Sequence, residues 1–277
     1  MSRTPHEPSN TPILTGKQYH QPSIFTPENL LREARRQKGR VEQPVPEICI
    51  LDPDGDLVDY LRATGQARQH PGWACYHTSL FTWEMDGIEC GIVGRTVGAP
   101  FAVLVAEELF VSGCKLLISI TSAGQLVELG SPPYTVLITR ALRDEGTSYH
   151  YLPPAPYSHL SPALYERLRK DWNQNTLSLY TGDSWTTDAP FRETTEMITW
   201  GREQGLLTIE MEAAALYALA EAKQLAIVCF AHVTNQMAQA EGDFEKGAAN
   251  GSLTALALIQ QTMQSWLRHP ILSSAGK

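Results

Sequence analysis

The stretch LLTIEMEAAALYALAEAK, residues 206–223, joins a short apolar run to a strong helix-forming run and places two carboxylates at the junction. Junctions of this kind are where α/β proteins usually bind their ligands. In a helix that begins near Glu210, Glu210 and Glu212 lie about 200° apart around the axis. We therefore expect one acid to contact a ligand and the other to serve the structure. The alternative is that both carboxylates only interact favourably with the helix dipole, which stabilises the helix by roughly 0.3–1 kcal/mol for each charge.

The composition indicates a compact cytoplasmic protein. With 277 residues, 43% of them hydrophobic, the chain has enough apolar material for one large α/β domain. The net charge of −8 and the scattered Lys and Arg residues argue against a nucleic-acid partner. Five widely spaced cysteines favour reduced, buried thiols. The polar start contains no apolar run typical of a signal peptide, and no apolar span of 18 residues predicts membrane insertion.

Alternating strand-like and helix-like runs begin at Pro46 and divide the chain into two parts. Residues 1–45 form an N-terminal arm, in which Thr26-Pro27-Glu28 and the following NLLREARRQKG carry the cap, proline and terminal glycine of a short helix. Residues 46–277 form the α/β domain. Besides the junction at 206–223, its predicted strands are 47–51, 73–84, 88–93, 115–120, 135–139, 177–182 and 226–234, and its helices are 56–64, 99–112, 163–172, 194–204 and 252–269. Such apolar strands between helices predict a single-domain, three-layer α/β/α fold with a mixed, mostly parallel central sheet.

The letters Glu210-Met211-Glu212, followed by small residues, carry a specific resemblance. From about residue 46 to 265 the chain resembles the nucleoside phosphorylase and nucleosidase superfamily, of the purine nucleoside and uridine phosphorylase type, in which Glu-Met-Glu holds the ribose. The resemblance implies cleavage of the N-glycosidic bond of a nucleoside through an oxocarbenium-like transition state. In this role Glu212 binds the 2′ and 3′ hydroxyls, Met211 packs against the sugar, and Glu210 positions the strand end.

Two glycine-containing segments resemble the phosphate site of that family. GIVGRTVGAPFAVLVAEEL, residues 91–109, has Gly98 before a helix start, which offers free N–H groups to an anion. ISITSAGQL, residues 118–126, keeps the hydroxyl of the family loop as Ser122 and its glycine as Gly124, while Thr121 replaces another glycine.

The arginines of that phosphate site are absent. Their positions fall on Ser119 and on Leu57, which ends the aspartate-rich stretch LDPDGDL, residues 51–57. Arg95 is the nearest substitute. Because a phosphate dianion needs charge-assisted donors, water is a serious rival to phosphate as the acceptor.

The base-binding residues are expected in two places. GDSWTTDAPFRET, residues 182–194, precedes the Glu pair as a similar segment does in the family, which makes Phe191 the candidate for stacking on the base and Arg192 a partner for its edge. After the apolar strand the chain reads Thr234-Asn235, where purine enzymes of the family have Ser-Asp and uridine phosphorylases have asparagine. An amide cannot supply a proton as an acid can, so Asn235 favours a pyrimidine such as uridine, whose leaving charge hydrogen-bond donors stabilise.

Three functions follow from these residues. The first is a phosphorylase that uses inorganic phosphate as co-substrate and needs no cofactor; the second is a nucleosidase that uses water; the third is a non-catalytic sensor that binds a nucleoside. No zinc-ligand spacing, G-x-S-x-G elbow or P-loop is present, so we expect no metal. His77, His150 and His232 are isolated and are interpreted as structural. The resemblance also implies a homo-oligomer.

Overall fold

The computed structural model describes residues 11–172, 178–237 and 241–269. The first ten residues of the arm, residue 177 of the predicted strand 177–182 and residues 270–277 lie outside the described part. The helices are α1 (Pro27–Lys38), α2 (Asp56–Ala63), α3 (Ala99–Val111), α4 (Pro162–Leu168), α5 (Thr195–Glu203), α6 (Ala213–Lys223) and α7 (Ser252–Arg268). The strands are β1 (Ile48–Asp52), β2 (Arg68–Gln69), β3 (Leu80–Met85), β4 (Ile88–Gly94), β5 (Leu116–Gln125), β6 (Tyr134–Asp144), β7 (Tyr157–His159), β8 (Leu179–Thr187), β9 (Leu206–Glu210) and β10 (Ile227–Asn235).

The ten strands form one mixed sheet in the order β10-β6-β8-β9-β5-β1-β4-β3-β2, with β7 paired to β6. A further pairing between β10 and β5 closes the first five strands of this order on themselves. Strands β1, β4, β5 and β10 run parallel, as do β6, β8 and β9. The ends of β5, β9 and β10 therefore meet, because Gly124 pairs with both Ile209 and Asn235.

The core follows from the apolar strands that the sequence contains. All five residues of β1 and all nine of β10 are buried, as expected for strands covered on both faces. Helix α6 is buried along eight consecutive residues and packs on α3, β6 and β10. Helices α2, α4 and α7 form a second group against the sheet.

The strands differ in length from the sequence prediction. β5, β6 and β8 continue beyond their apolar runs into polar residues such as Ser122, Arg143 and Thr186, which the hydrophobic pattern reads as loop. The predicted strand 73–84 starts only at Leu80, because Pro71-Gly72 form a turn and residues 73–79 are irregular backbone with a bend at 76–77.

The N-terminal arm is docked on the domain where it is described. Thr26 caps α1 by accepting a hydrogen bond from the Asn29 N–H, as its sequence position predicts. Leu31 and Ala34 of α1 bury themselves against Ala74. Helix α1 thus covers part of α3, whose first residues form one wall of the candidate site.

Candidate active site

Glu210 is held entirely by the protein. One carboxylate oxygen accepts hydrogen bonds from the backbone N–H groups of Glu212 and Ala213, both at 2.7 Å. The other accepts from the hydroxyls of Ser184, at 3.1 Å, and Thr186, at 2.5 Å. Glu210 therefore satisfies the free N–H groups at the start of α6 and fixes the end of β9 to β8.

Glu212 is the N-cap of α6, which begins at Ala213 and not near Glu210 as the sequence argument assumed. Because a turn separates the strand from the helix, both acids face the protein interior, and only 1% of Glu212 is exposed. Its Oε1 accepts the Gly98 N–H at 2.7 Å and its Oε2 accepts the Met211 N–H at 3.3 Å. Burial, and then the neighbouring charge of Glu210, raise the pKa of Glu212 to about 8, although a hydrogen bond from Thr121 opposes the shift.

Carboxylates surround the position where the resemblance implies phosphate. The Ser122 hydroxyl donates a hydrogen bond to Asp54. The Lys246 ammonium group lies 3.3 Å from the same Asp54 carboxylate and 2.5 Å from Asp56. Asp52, at the end of β1, accepts the Val58 N–H at 2.9 Å, and burial raises its pKa to about 7. The donors at this end of the site are thus already bound to side chains of the protein.

A small cavity remains between these groups. It has a volume of about 30 Å³ and is lined by Asp52, Thr121, Ser122 and His232, among others. Roughly 10–15 Å³ of such space is needed for one water. The cavity therefore has room for a water molecule.

Two of the predicted anion donors, Arg95 and Gly98, are bound to carboxylates of the protein. The Arg95 guanidinium group donates to Asp59 at 2.5 Å, and its side chain is 62% exposed. The Gly98 N–H points at Glu212, so an internal carboxylate takes the donor that the helix start was expected to offer an anion. Leu57 and Ser119, at the lost arginine positions, are both buried.

Phe191 and Arg192 do not line the pocket in this structure. Phe191 is 100% exposed, and Arg192 is exposed beside it in a short 3-10 turn. The stacking of Phe191 on the base therefore stays a prediction, with no contact among the described residues that supports it. The physical reason for the exposure is the turn after β8, which Asp188 fixes by accepting the Gly146 N–H at 2.8 Å.

Asn235 and Gly124 do lie together at the ends of β10 and β5. The side-chain oxygen of Asn235 accepts the Met237 N–H at 2.9 Å, and its amide nitrogen donates to the Thr234 hydroxyl at 3.1 Å. Both polar ends of this amide are thus oriented by the chain around it. Asn235 is buried beside Gly124, the glycine of the predicted loop.

Sequence reasoning missed Lys246, which lies 192 positions from Asp54 and has no local signal that marks it. His232 is buried, donates a hydrogen bond from Nε2 to the Lys246 carbonyl at 3.0 Å, and has its pKa lowered by burial. His150 lies 3.0 Å from the Lys17 ammonium group, and His77 contacts Phe101 edge-on. Within the described residues, no group of His, Cys, Asp and Glu side chains is arranged to hold a metal ion.

Curated proteins that are similar to this chain in sequence are named as nucleoside phosphorylases. The chain is 28% identical to a guanosine phosphorylase from Halorubrum lacusprofundi over 199 residues, which are 66% of this chain and 76% of that protein. It is 26% identical to a DeoD-type purine nucleoside phosphorylase from Bacillus cytotoxicus over 144 residues, 50% of this chain and 60% of that protein.

Solved structures establish the fold. A uridine phosphorylase from Vibrio fischeri superimposes with a TM-score of 0.67 at 20% identity and covers 83% of this chain and 98% of its own. A purine nucleoside phosphorylase from Toxoplasma gondii superimposes with a TM-score of 0.66 at 15% identity and covers 82% of this chain and 97% of its own. The predicted α/β architecture with a mixed central sheet is confirmed.

A family profile decides the assignment. The profile described as the phosphorylase superfamily matches residues 47–263, which include the Glu210 and Glu212 turn, the Gly98 turn and the Asn235 strand. Members of this family are enzymes of glycosyl transfer that need no cofactor and take phosphate as co-substrate. The chain therefore belongs to the phosphorylase superfamily, the nucleoside phosphorylase-like enzymes that the Glu-Met-Glu letters predicted.

Proposed function

We propose that this enzyme cleaves the N-glycosidic bond of a nucleoside and that water is its preferred acceptor. The observation that carries the choice of acceptor is the Asp54 carboxylate, which takes the Ser122 hydroxyl and the Lys246 ammonium group at the expected anion position. A bound phosphate would have to displace this carboxylate and lie among Asp52, Asp54 and Asp56. Like charges at such short range oppose its binding.

The sugar end of the site supports a ribosyl cation. Glu212 lies between the Gly98 N–H and Thr121, where its ionised form can accept the ribose hydroxyls and stabilise positive charge as the base leaves. Met211 is half-buried next to it and offers an apolar contact to the sugar. Glu210 acts by holding the turn that carries both residues.

The reaction balances without a cofactor. The bond between C1′ and the base nitrogen breaks, and its electron pair leaves with the base. A water oxygen then bonds to C1′, and its proton passes to Asp52, whose pKa of about 7 suits a general base at neutral pH. Asp52 then releases this proton to solvent and the departed base anion takes one up, so the products are free base and free ribose. Asp52 borders the small cavity beside Thr121 and Ser122, which offers a place for an acceptor water.

The base is proposed to be a pyrimidine such as uracil, because Asn235 offers an amide and no acid. A guanine base is the second candidate, favoured by the relative named guanosine phosphorylase. Phosphorolysis is the second candidate reaction, favoured by the names of the same relatives. It would require Asp54 to move from Ser122 and free Lys246.

The test is the release of free base from uridine and guanosine, measured by chromatography with phosphate present and with phosphate removed enzymatically. Equal release under both conditions, with free ribose as the product, supports hydrolysis. Release that depends on phosphate and yields ribose 1-phosphate would replace it by phosphorolysis. Nucleoside binding without release under either condition would mean a sensor.

Cellular context and assembly belong to the same proposal. All five cysteines are buried free thiols, which supports a reducing, cytoplasmic environment. Among the described helices, none combines the length and the apolar composition that crossing a lipid bilayer requires. Exposed apolar side chains support a homo-oligomer, namely Ile24 and Phe25 of the arm and Val97 beside the site. The division into an arm of residues 1–45 and a domain of residues 46–277 is part of the same proposal.

A further inference from the structure

The open face of Gly124 is covered by a side chain from outside its own strand. A Cβ atom added to Gly124 would lie 2.6 Å from the Met237 sulfur, 3.1 Å from Ile209 Cγ2 and 3.6 Å from Asn235 Oδ1. No real Cβ contact is as short as the first of these. The Met237 thioether thus lies directly on the glycine, beside the amide of Asn235.

Met237 is held by a backbone hydrogen bond, and its side chain makes apolar contacts. Its N–H donates to Asn235, and its φ of +68° places it in the left-handed region, which a residue with a side chain adopts at a cost. The side chain is half-buried and packs against the apolar cluster that contains Trp185 and Ile209. Methionine has three rotatable bonds and adapts its shape easily, so the thioether can leave Gly124 while the hydrogen bond to Asn235 remains.

We propose that the Met237 side chain is a displaceable plug in the nucleobase position and thereby a specificity-determining residue. A flat base can lie against the Cα of Gly124 only after the thioether has left, and it then meets the oriented amide of Asn235. This inference rests on the proposed function, since it names the place of the base in the same site. The free energy of the apolar contacts that Met237 loses on displacement must be exceeded by the free energy that the base gains on binding.

Methionine methyl resonances test the displacement without turnover. The chain has six methionines, so a spectrum with labelled methyl groups is simple, and Met237→Leu assigns the signal of interest. Uracil and hypoxanthine are the probes, because free bases cannot be cleaved. We expect the Met237 methyl signal to shift on titration and that of Met263, fully buried in α7, to stay unchanged. A Met237 signal that does not move at saturating base overturns the proposal.

Kinetics test the consequence for substrate binding. Because a closed site lowers apparent affinity by the fraction of open molecules, Met237→Ala should lower KM by about threefold to tenfold with kcat little changed. Met237→Leu, which keeps an apolar plug, should resemble the wild type. A raised KM in Met237→Ala would mean that Met237 is a wall of the pocket, and the proposal would fall. Adding Gly124→Ala to Met237→Ala should raise KM again, because the new Cβ occupies the face that the base needs.

Failure of the inference and failure of the proposed function give different results. If the Met237 methyl signal moves with free base but the protein cleaves no nucleoside, the proposed role of Met237 stands and the proposed activity is wrong. If the protein cleaves nucleosides while the Met237 signal does not move and Met237→Ala leaves KM unchanged, the proposed activity stands and the proposed role of Met237 is wrong.

Discussion

Replacing Glu212 by Gln should stabilise the free protein at alkaline pH while it impairs base release. Glu212 has an ordinary pKa of 4.5, and burial together with Glu210 raises it to about 8 in the folded protein. The folded state therefore keeps a proton that the unfolded state gives up. Stability from this group is fully present below pH 4.5 and is lost as the pH rises toward 8 and beyond.

The size of the effect follows from the two pKa values. Between pH 6 and pH 9, the unfolded carboxyl is ionised throughout, whereas the folded carboxyl changes from protonated to mostly ionised. Integrating proton binding over this interval gives a loss of about 2.5 kcal/mol in the free energy of unfolding. Glutamine has no such titration and keeps an oxygen for the Gly98 N–H. At about 2–4 °C per kcal/mol for a chain of this length, the two melting curves should diverge by about 5–10 °C.

Thermal unfolding of Glu212→Gln and wild type at a series of pH values, without ligand, measures this divergence. Glu203→Gln removes an exposed carboxylate from α5 and is the matched control, so its melting temperature should follow that of the wild type. Parallel curves for Glu212→Gln and wild type across the whole range would refute the argument that Glu212 is a protonated, costly carboxyl in the folded protein. Loss of base release in the same variant, with the fold intact, supports its role at the sugar.

Three further substitutions test other parts of the site. Asp52→Asn should lower the rate of base release by roughly 100-fold and abolish the rise in rate with pH near the Asp52 pKa of about 7. A pH-rate profile of the variant that keeps this rise would exclude Asp52 as the general base. Asp54→Ser removes the carboxylate from Ser122 and should make base release faster with added phosphate, whereas rates that ignore phosphate would mean that Asp54 does not occupy the anion position. Thr186→Val removes a hydrogen bond to the buried Glu210 carboxylate and should cost about 1–3 kcal/mol in urea unfolding, with a value near zero contradicting a structural role for Glu210.

The sequence predicted the fold well because its signals are local and strong. Apolar runs such as those of β1 and β10 are buried on both faces, so hydrophobicity alone identifies them. The cap of α1 was equally legible, since Thr26 and Pro27 act within one turn. The sequence prediction ended β5 and β8 too early. Their last residues are polar although they belong to the sheet, and a prediction based on apolar runs does not include such residues.

The sequence suggested candidate site residues only where a short local pattern marks them. Glu210 and Glu212 stand two positions apart and carry their own motif. Lys246 reaches Asp54 only through the fold, so no window of sequence contains that ion pair. Arg95 was the opposite case, because its position suggested an anion partner and Asp59 on α2 takes its guanidinium group instead.

Three buried carboxylates of the candidate site are costly to ionise in the free protein. Burial raises the pKa values of Asp52, Glu210 and Glu212, so the free protein is less stable in the ionised state that the reaction uses. A ribosyl cation is the species that relieves this cost, because it brings positive charge to Glu212 as the base departs. Glu212 thus favours the transition state over the bound substrate, while Asp54 and Asp56 oppose a phosphate at the other end of the site. Under the proposed function, this charge distribution favours a cationic sugar and a neutral acceptor such as water over a dianion.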